Sequence, residues 1–284
     1  MGRSVITVLA LACIALAAAS ARAQPEPAGQ AVLAPSVSAT RAVPSGSTTS
    51  FTVSCPAGFT AVSAGISTPA PGTAVLAIAP VGLSAYRFRI ANPARNDDQR
   101  VTVVVACRKI RAGGSRFVLG LKPLKRKVVV VPAGKTASAT LPCPKGTTPA
   151  NGGFAFGSTT LSVRSETSTL TRASYGFANS GPRARRATVY GACLTLFRAA
   201  GAPFEQLHVQ VTTFRVPLGN GQQTLGRSCR GGWFSLDAGY ALRAPSTRLD
   251  GAVTTAHGGR WKLTNPTDAA VLADVQVACG RLGP

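Results

Sequence analysis

Cys143-Pro-Lys-Gly-Thr-Thr-Pro-Ala-Asn-Gly-Gly-Phe154 sets the reading of this chain, because its skeleton occurs three times. Cys55, Cys143 and Cys229 each have a glycine three residues on: Gly58, Gly146 and Gly232. A small-Gly pair follows (Ala64-Gly65, Gly152-Gly153, Ala238-Gly239), and then a bulky apolar residue, Ile66, Phe154 or Tyr240. The first cysteines are 88 and then 86 residues apart; the second ones, Cys107, Cys193 and Cys279, are 86 apart each time. Self-similarity at a fixed period means one structural unit used repeatedly.

Outward from each first cysteine the pattern is that of short strands. Upstream stand Val43-Pro44-Ser45-Gly46, Val131-Pro132-Ala133-Gly134 and Val216-Pro217-Leu218-Gly219, where proline presets φ and glycine supplies freedom at positive φ in a turn. Downstream, Phe88-Arg-Ile90-Ala-Asn92, Tyr175-Gly-Phe177-Ala-Asn179 and Trp261-Lys-Leu263-Thr-Asn265 alternate as half-buried strands ended by a turn-forming asparagine. The last strand of each unit places Val101, Val103, Val105 and Cys107 on one face, likewise Ala187, Val189, Gly191 and Cys193, and Ala273, Val275, Val277 and Cys279. No segment has a useful helical period.

The expected fold is all-β: three tandem antiparallel β-sandwich units, at 31–116, 117–203 and 204–284, each with one internal disulfide. Eighty-odd residues is small for an unaided core, so a staple per unit makes physical sense. Pairing Cys55–Cys107, Cys143–Cys193 and Cys229–Cys279 closes loops of about 50 residues, for which chain entropy gives at most about 4 kcal/mol each. Residues 1–23 read as a secretory signal, with Arg3, an apolar run from Val5 to Ala19 and the small-x-small site Ala21-Arg22-Ala23. Residues 24–30 are a short spacer. Removal of the signal takes Cys13 with it and leaves six cysteines, an even set suited to export; lipidation of Cys13 is the competing reading. No later stretch is long and apolar enough to span a bilayer.

A first cysteine ending an early strand and a second on a late Val-rich strand resembles the immunoglobulin-like sandwich, without that family's tryptophan in the first two units and with Val105, Gly191 and Val277 in place of its tyrosine. The pattern is also similar to tandem Cys-pair repeats of secreted proteins from high-GC bacteria. That resemblance implies export and modularity and carries no functional residues.

Motifs for chemistry are scarce. Only two histidines exist, His208 and His257, and no nucleophile elbow, zinc-protease helix, phosphate loop or dinucleotide fingerprint occurs. No pattern calls for a cofactor or metal. A triad of His257, Asp250 or Asp237 and a serine would make the third unit a hydrolase; its loops would alternatively make it a protease inhibitor. Asp97-Asp98 reads as solvated turn, and Trp233, Tyr190, Tyr240 and Tyr86 are the candidate platforms for sugars.

Charge is the remaining signal. After the signal the chain holds 29 basic against nine acidic residues, and the middle unit has twelve basic residues and a single acid, Glu166. Its runs Lys122, Lys125, Arg126, Lys127 and Arg183, Arg185, Arg186 point to anionic extracellular partners such as cell-wall polymers or acidic polysaccharides. Nucleic acid is less favoured, because interleaved aromatics are few. The expectation is therefore a secreted or surface-attached, non-enzymatic binding protein. Nothing in the sequence sets an oligomeric state.

Overall fold

A computed structural model of the chain describes residues 30–33, 36–68, 72–94, 97–111, 117–198 and 206–283. The signal segment, Cys13 and residues 24–29 of the spacer lie outside these. Repeat 1 supplies β1 (Gln30–Leu33), β2 (Val37–Val43), β3 (Thr48–Ser54), β4 (Thr60–Thr68), β5 (Ala74–Val81), β6 (Ala85–Ala91) and β7 (Gln99–Arg111). Repeat 2 supplies β8 (Phe117–Val131), β9 (Thr136–Pro142), β10 (Thr148–Phe156), β11 (Leu161–Ser168), β12 (Arg172–Asn179) and β13 (Arg185–Arg198). Repeat 3 supplies β14 (Gln206–Leu218), β15 (Gly221–Ser228), β16 (Phe234–Leu242), β17 (Arg248–Thr254), β18 (Gly258–Asn265) and β19 (Val271–Gly283). Among the described residues no helix is present that could cross a membrane.

In every repeat the first, sixth and third strands form one antiparallel half-sheet: β2-β7-β4 (with β1 also on β7), β8-β13-β10 and β14-β19-β16. The second, fifth and fourth form another: β3-β6-β5, β9-β12-β11 and β15-β18-β17. Alternation along the strands makes the two halves a sandwich. Val101, Val103, Val105 and Cys107 of β7 are fully buried against Tyr86, Phe88 and Ile90 of β6, and Ala273, Val275 and Val277 of β19 meet Trp261 and Leu263 of β18. The disulfides Cys55–Cys107, Cys143–Cys193 and Cys229–Cys279 pin one half to the other, with Cα–Cα separations of 5.7, 5.5 and 5.8 Å. The order matches strands B-E-D facing C-F of an immunoglobulin sandwich, with strand G missing and its place taken by the first strand.

The sheets do not stop at repeat boundaries. β5 continues into β10 through Phe154↔Ile78 and Ala155↔Ala77, β11 into β16 through Ser165↔Ala241 and Glu166↔Tyr240, and β17 into β4 through Ala252↔Ile66. Each sheet therefore joins the second half of one repeat to the first half of the next, and the third repeat joins back onto the first. Three sandwiches close into a ring of approximate three-fold symmetry.

The shared Gly65, Gly153 and Gly239 sit at these seams. A Cβ there would stand 1.8 Å from Ala252 O, 2.0 Å from Ile78 O and 2.5 Å from Glu166 O respectively. The three carbonyls occupy equivalent places, so the glycines are required by close backbone approach between repeats; none of the three has a positive φ. The glycines three residues after the first cysteines do take left-handed turns, with φ of 77, 78 and 75°. In the third Val-Pro-x-Gly copy, Pro217 is absorbed into β14 opposite Leu272, and Gly221 takes the positive φ instead of Gly219. The extra residue in that copy moves the turn.

The three asparagines are buried clamps. Asn92, Asn179 and Asn265 each donate from Nδ2 to the end of the first strand (Val43 O, Val131 O and Leu218 O, all at 3.1 Å). Each also donates to the following loop (Asp97 O, Arg183 O, Ala269 O) and accepts at Oδ1 from the N–H two residues on. One side chain thus satisfies three backbone groups, a structural use of the residue.

Arg108 closes the seam between repeats 1 and 3. Its guanidinium is fully buried and donates to Ser235 O and Oγ (3.0 Å each), Thr255 O (2.6 Å) and Cys107 O (3.0 Å). Burial lowers its pKa to about 10, so it remains charged at neutral pH. The equivalent places hold Leu194 and Gly280, and Leu194 packs with Phe234, Leu236 and Ala278 in an apolar cluster spanning repeats 2 and 3.

Candidate functional site

β8 is a free edge of its sheet and carries Lys125, Arg126 and Lys127, all exposed. Arg185 and Arg186 open the neighbouring β13, and Arg183 stands in the turn before it; these too are exposed. The side chain of Lys122 lies outside the described residues, although its backbone pairs with Cys193. The register opposes Arg126 to Tyr190 and Arg186 to Val130, which puts Arg126, Arg186 and the exposed Val128 and Val130 on the face turned away from the sandwich core. Lys127 opposes the buried Val189 and Arg185 the buried Val131, so these two belong to the other face. The basic runs share one two-stranded ribbon and divide between its faces, separated by four residues, about 13 Å.

Two further cations join the outer face through the seam. Arg87 and Arg89 on β6 alternate with the buried Tyr86, Phe88 and Ile90 and point away from the core. Four strand steps from β6 to β8, at about 4.8 Å each, put them about 19 Å from Arg126. The ion pairs among the described residues, Arg215–Asp274, Arg243–Asp274 and Arg248–Asp250, all belong to repeat 3. None reaches the basic ribbon.

The aromatic candidates are placed otherwise than sugar platforms. Tyr86 and Tyr240 are buried, Tyr190 is half-buried beside Arg126, and Trp233 is half-buried with the Arg281 guanidinium 5.3 Å above its ring. His257 Nδ1 lies 3.1 Å from Trp233 O, while Asp250 binds Gln222 and Thr264 and Asp237 binds Ser63. Among the described residues, the proposed triad partners are thus engaged elsewhere. Asp98 accepts the Ser45 N–H and caps that turn.

A second feature had no place in the sequence reading. Where the repeats meet, β4, β5, β11, β16 and β17 enclose a chamber of 480 Å³, with Phe154 of β10 in its wall. β17 runs its length, from exposed Arg248 at the mouth to buried Thr254 at the floor, six residues or about 20 Å. Gly72, Thr159 and Ser162 also rim the mouth, and all three are exposed. Ile66, Val75, Ile78, Leu161, Tyr240 and Leu242 make the walls largely apolar.

The floor is polar, and β-bulges make it so. β4, β10 and β16 each bulge just before the shared glycine, between Ala61 and Ser63, Ala150 and Gly153, and Ser235 and Asp237. A bulge re-aims the residue it adds. Ser63 Oγ donates to Asp237 Oδ1 at 3.0 Å, Thr254 Oγ1 donates to Ser63 Oγ at 3.0 Å, and the Ala238 N–H reaches the same carboxylate oxygen at 2.9 Å. Tyr175 donates to Glu166 Oε1 at 3.1 Å. Ser63 and Asp237 are the same position of repeats 1 and 3, so their contact marks the approximate axis. Asn151 is the third copy of that position, and its side chain lies outside the described residues.

No cationic side chain forms an ion pair with either carboxyl among the described residues. Burial, and then the charge of Asp237, pushes the Glu166 carboxyl up to about 8, against the downward pull of the Tyr175 hydrogen bond. Burial also raises Asp237, opposed by its bonds from Ser63 and Ala238. Tyr86 and Tyr175 are pushed well above the ordinary phenol value, first by burial and then by these carboxyls. Nearer the mouth, Arg164 donates to the carbonyls of Ala244, Pro245 and Thr247, tying repeat 2 to repeat 3.

The sequence held one clue to this floor. Two residues before each shared glycine stands a polar residue, Ser63, Asn151 or Asp237, and Glu166 is the sole acid of its repeat. Set against models of known protein families the chain matches none, and no curated protein matches it.

Proposed function

We propose that this is an exported, non-enzymatic protein that binds anionic envelope or matrix polymers through the basic ribbon of β8 and β13. Three disulfides suit an oxidising, extracytoplasmic setting. The observation that carries the reading is that six cations, Lys125, Arg126 and Lys127 on the edge strand β8 and Arg183, Arg185 and Arg186 at the start of its neighbour β13, stand exposed with no ion-pair partner among the described residues. Lys122 belongs to the same strand. Arg87 and Arg89 widen the surface on the outer face. Binding works by charge neutralisation with release of counterions, so it is steeply salt-dependent and weakly selective among polyanions.

The test uses the mature chain, because the sheets run across repeats. Retention on heparin and affinity for teichoic acid are measured against salt for the parent, for a variant with the seven ribbon cations changed to Ser, and for a control with Arg215, Arg227, Arg243, Arg248, Arg260, Lys262 and Arg281 changed likewise. The ribbon variant should elute at much lower salt and show a shallower dependence of log affinity on log salt. Equal losses from both variants would leave the charge as composition alone.

A further inference from the structure

We propose that the chamber at the junction of the three repeats is a binding site for a small organic ammonium, a primary amine on an apolar body. The shape comes first. A volume of 480 Å³ falls in the range of small-molecule pockets, and apolar walls with a few convergent polar groups at one end are their usual composition. The mouth is rimmed by exposed residues, so the chamber is reachable from solvent.

The chemistry of the floor selects the ligand. Glu166 and Asp237 are two of the nine acids of a strongly basic protein, and both are set inside it without a cationic partner among the described residues. A buried carboxyl with no cation beside it holds its proton, and gives it up where a cation arrives. Around them stand Ser63, Thr254 and Tyr175, which already donate within the floor. An ammonium brings three donors and one positive charge, matching acceptor oxygens that converge from repeats 2 and 3.

Binding carries a proton signature. Glu166 holds its proton in the empty chamber at pH 7, since its pKa is raised to about 8, and an entering ammonium favours the carboxylate, so a proton leaves for solvent. The proton released comes from the Glu166 carboxyl and the ligand's charge replaces it; no covalent bond changes.

Calorimetry on the mature chain with 2-phenylethylammonium and n-butylammonium, against 2-phenylethanol and n-butanol, tests the assignment. The amines should bind at least tenfold more tightly than the alcohols of the same shape, and the observed heat should depend on the buffer's ionisation enthalpy. Glu166→Gln and Asp237→Asn should each weaken the amine tenfold or more and leave the alcohols unchanged. Thr159→Trp, at the exposed mouth and away from the floor, should block both classes and keeps the test open should a floor variant fail to fold. Alcohols binding as well as amines, amine affinity indifferent to both floor substitutions, no heat at millimolar amine, or calcium binding in place of the amine would each overturn the proposal. Because neither floor residue belongs to the basic ribbon, heparin retention of the same variants should be unchanged.

Discussion

Replacing Gly153 by alanine adds a single methyl group at the seam between repeats 1 and 2. The new Cβ would stand 2.0 Å from Ile78 O, 3.1 Å from Ile78 C and 3.2 Å from Pro80 Cδ. Backbone atoms cannot swing aside, so β10 and β5 must separate by about 1 Å or more before the contact reaches van der Waals distance. Only two residue pairs join these strands, and a shift of that size breaks them. Overpacking costs about 1–3 kcal/mol, and losing roughly two hydrogen bonds at about 1 kcal/mol each brings the expected loss to about 3–5 kcal/mol. Gly157→Ala is the control, since Gly157 is exposed and a Cβ there meets nothing within 4 Å. Denaturant unfolding with disulfides intact should give a strongly lowered midpoint for the first variant and one within error of the parent for the second. The approach distances also order the series, with Gly65→Ala at least as damaging as Gly153→Ala and Gly239→Ala the mildest. Coincident midpoints for Gly153→Ala and Gly157→Ala would refute the argument that close approach between repeats fixes these glycines.

Arg108→Leu, which copies Leu194 into repeat 1, takes the guanidinium donor from Ser235 O and leaves Thr255 O to the Ser235 hydroxyl alone, and should cost about 2–4 kcal/mol by the same unfolding assay, whereas a change under 0.5 kcal/mol would mean water takes over. Glu166 gives a pH signature whose sign follows from its raised pKa: between the ordinary carboxylate value and about 8 the folded chain holds a proton that the unfolded chain has lost. Stability should therefore fall by about 1.4 kcal/mol per pH unit across that window from this group and level off above it. Glu166→Gln should remove that slope, and an unchanged profile would show that the carboxyl titrates normally.

The parts of the fold legible in sequence are those with a local physical signature. Alternation of Val101, Val103 and Val105 reports which strand face is buried, the cysteine spacing reports the staples, and Asn92, Asn179 and Asn265 report strand ends by turn chemistry. The seams have no such signature. Ala252↔Ile66 is a single residue pair between strands 186 residues apart, and its one trace in the sequence is a glycine whose reason lies on another repeat. The chamber floor escaped for a related cause. Ser63, Asn151 and Asp237 share a position and not a residue type, and the sequence marks Glu166 only as the single acid of its unit, its place beside β16 being set by the seam. The basic runs were visible as charge, yet their division between two faces depends on the β8 to β13 register.

Three is also the number of repeats that uses up every joining edge. A chain ending after repeat 2 would lack β16 and β17, and so would present β11 at one end and β4 at the other, each stripped of its partner. A second-half edge such as β11 accepts a first-half edge such as β4 in the same way that β5 accepts β10, and nothing in a two-repeat fragment brings its own ends round to meet. Copies would add head to tail, and a contact of that kind that does not close builds a fibre. Completion of the third repeat pairs both of these edges within one chain.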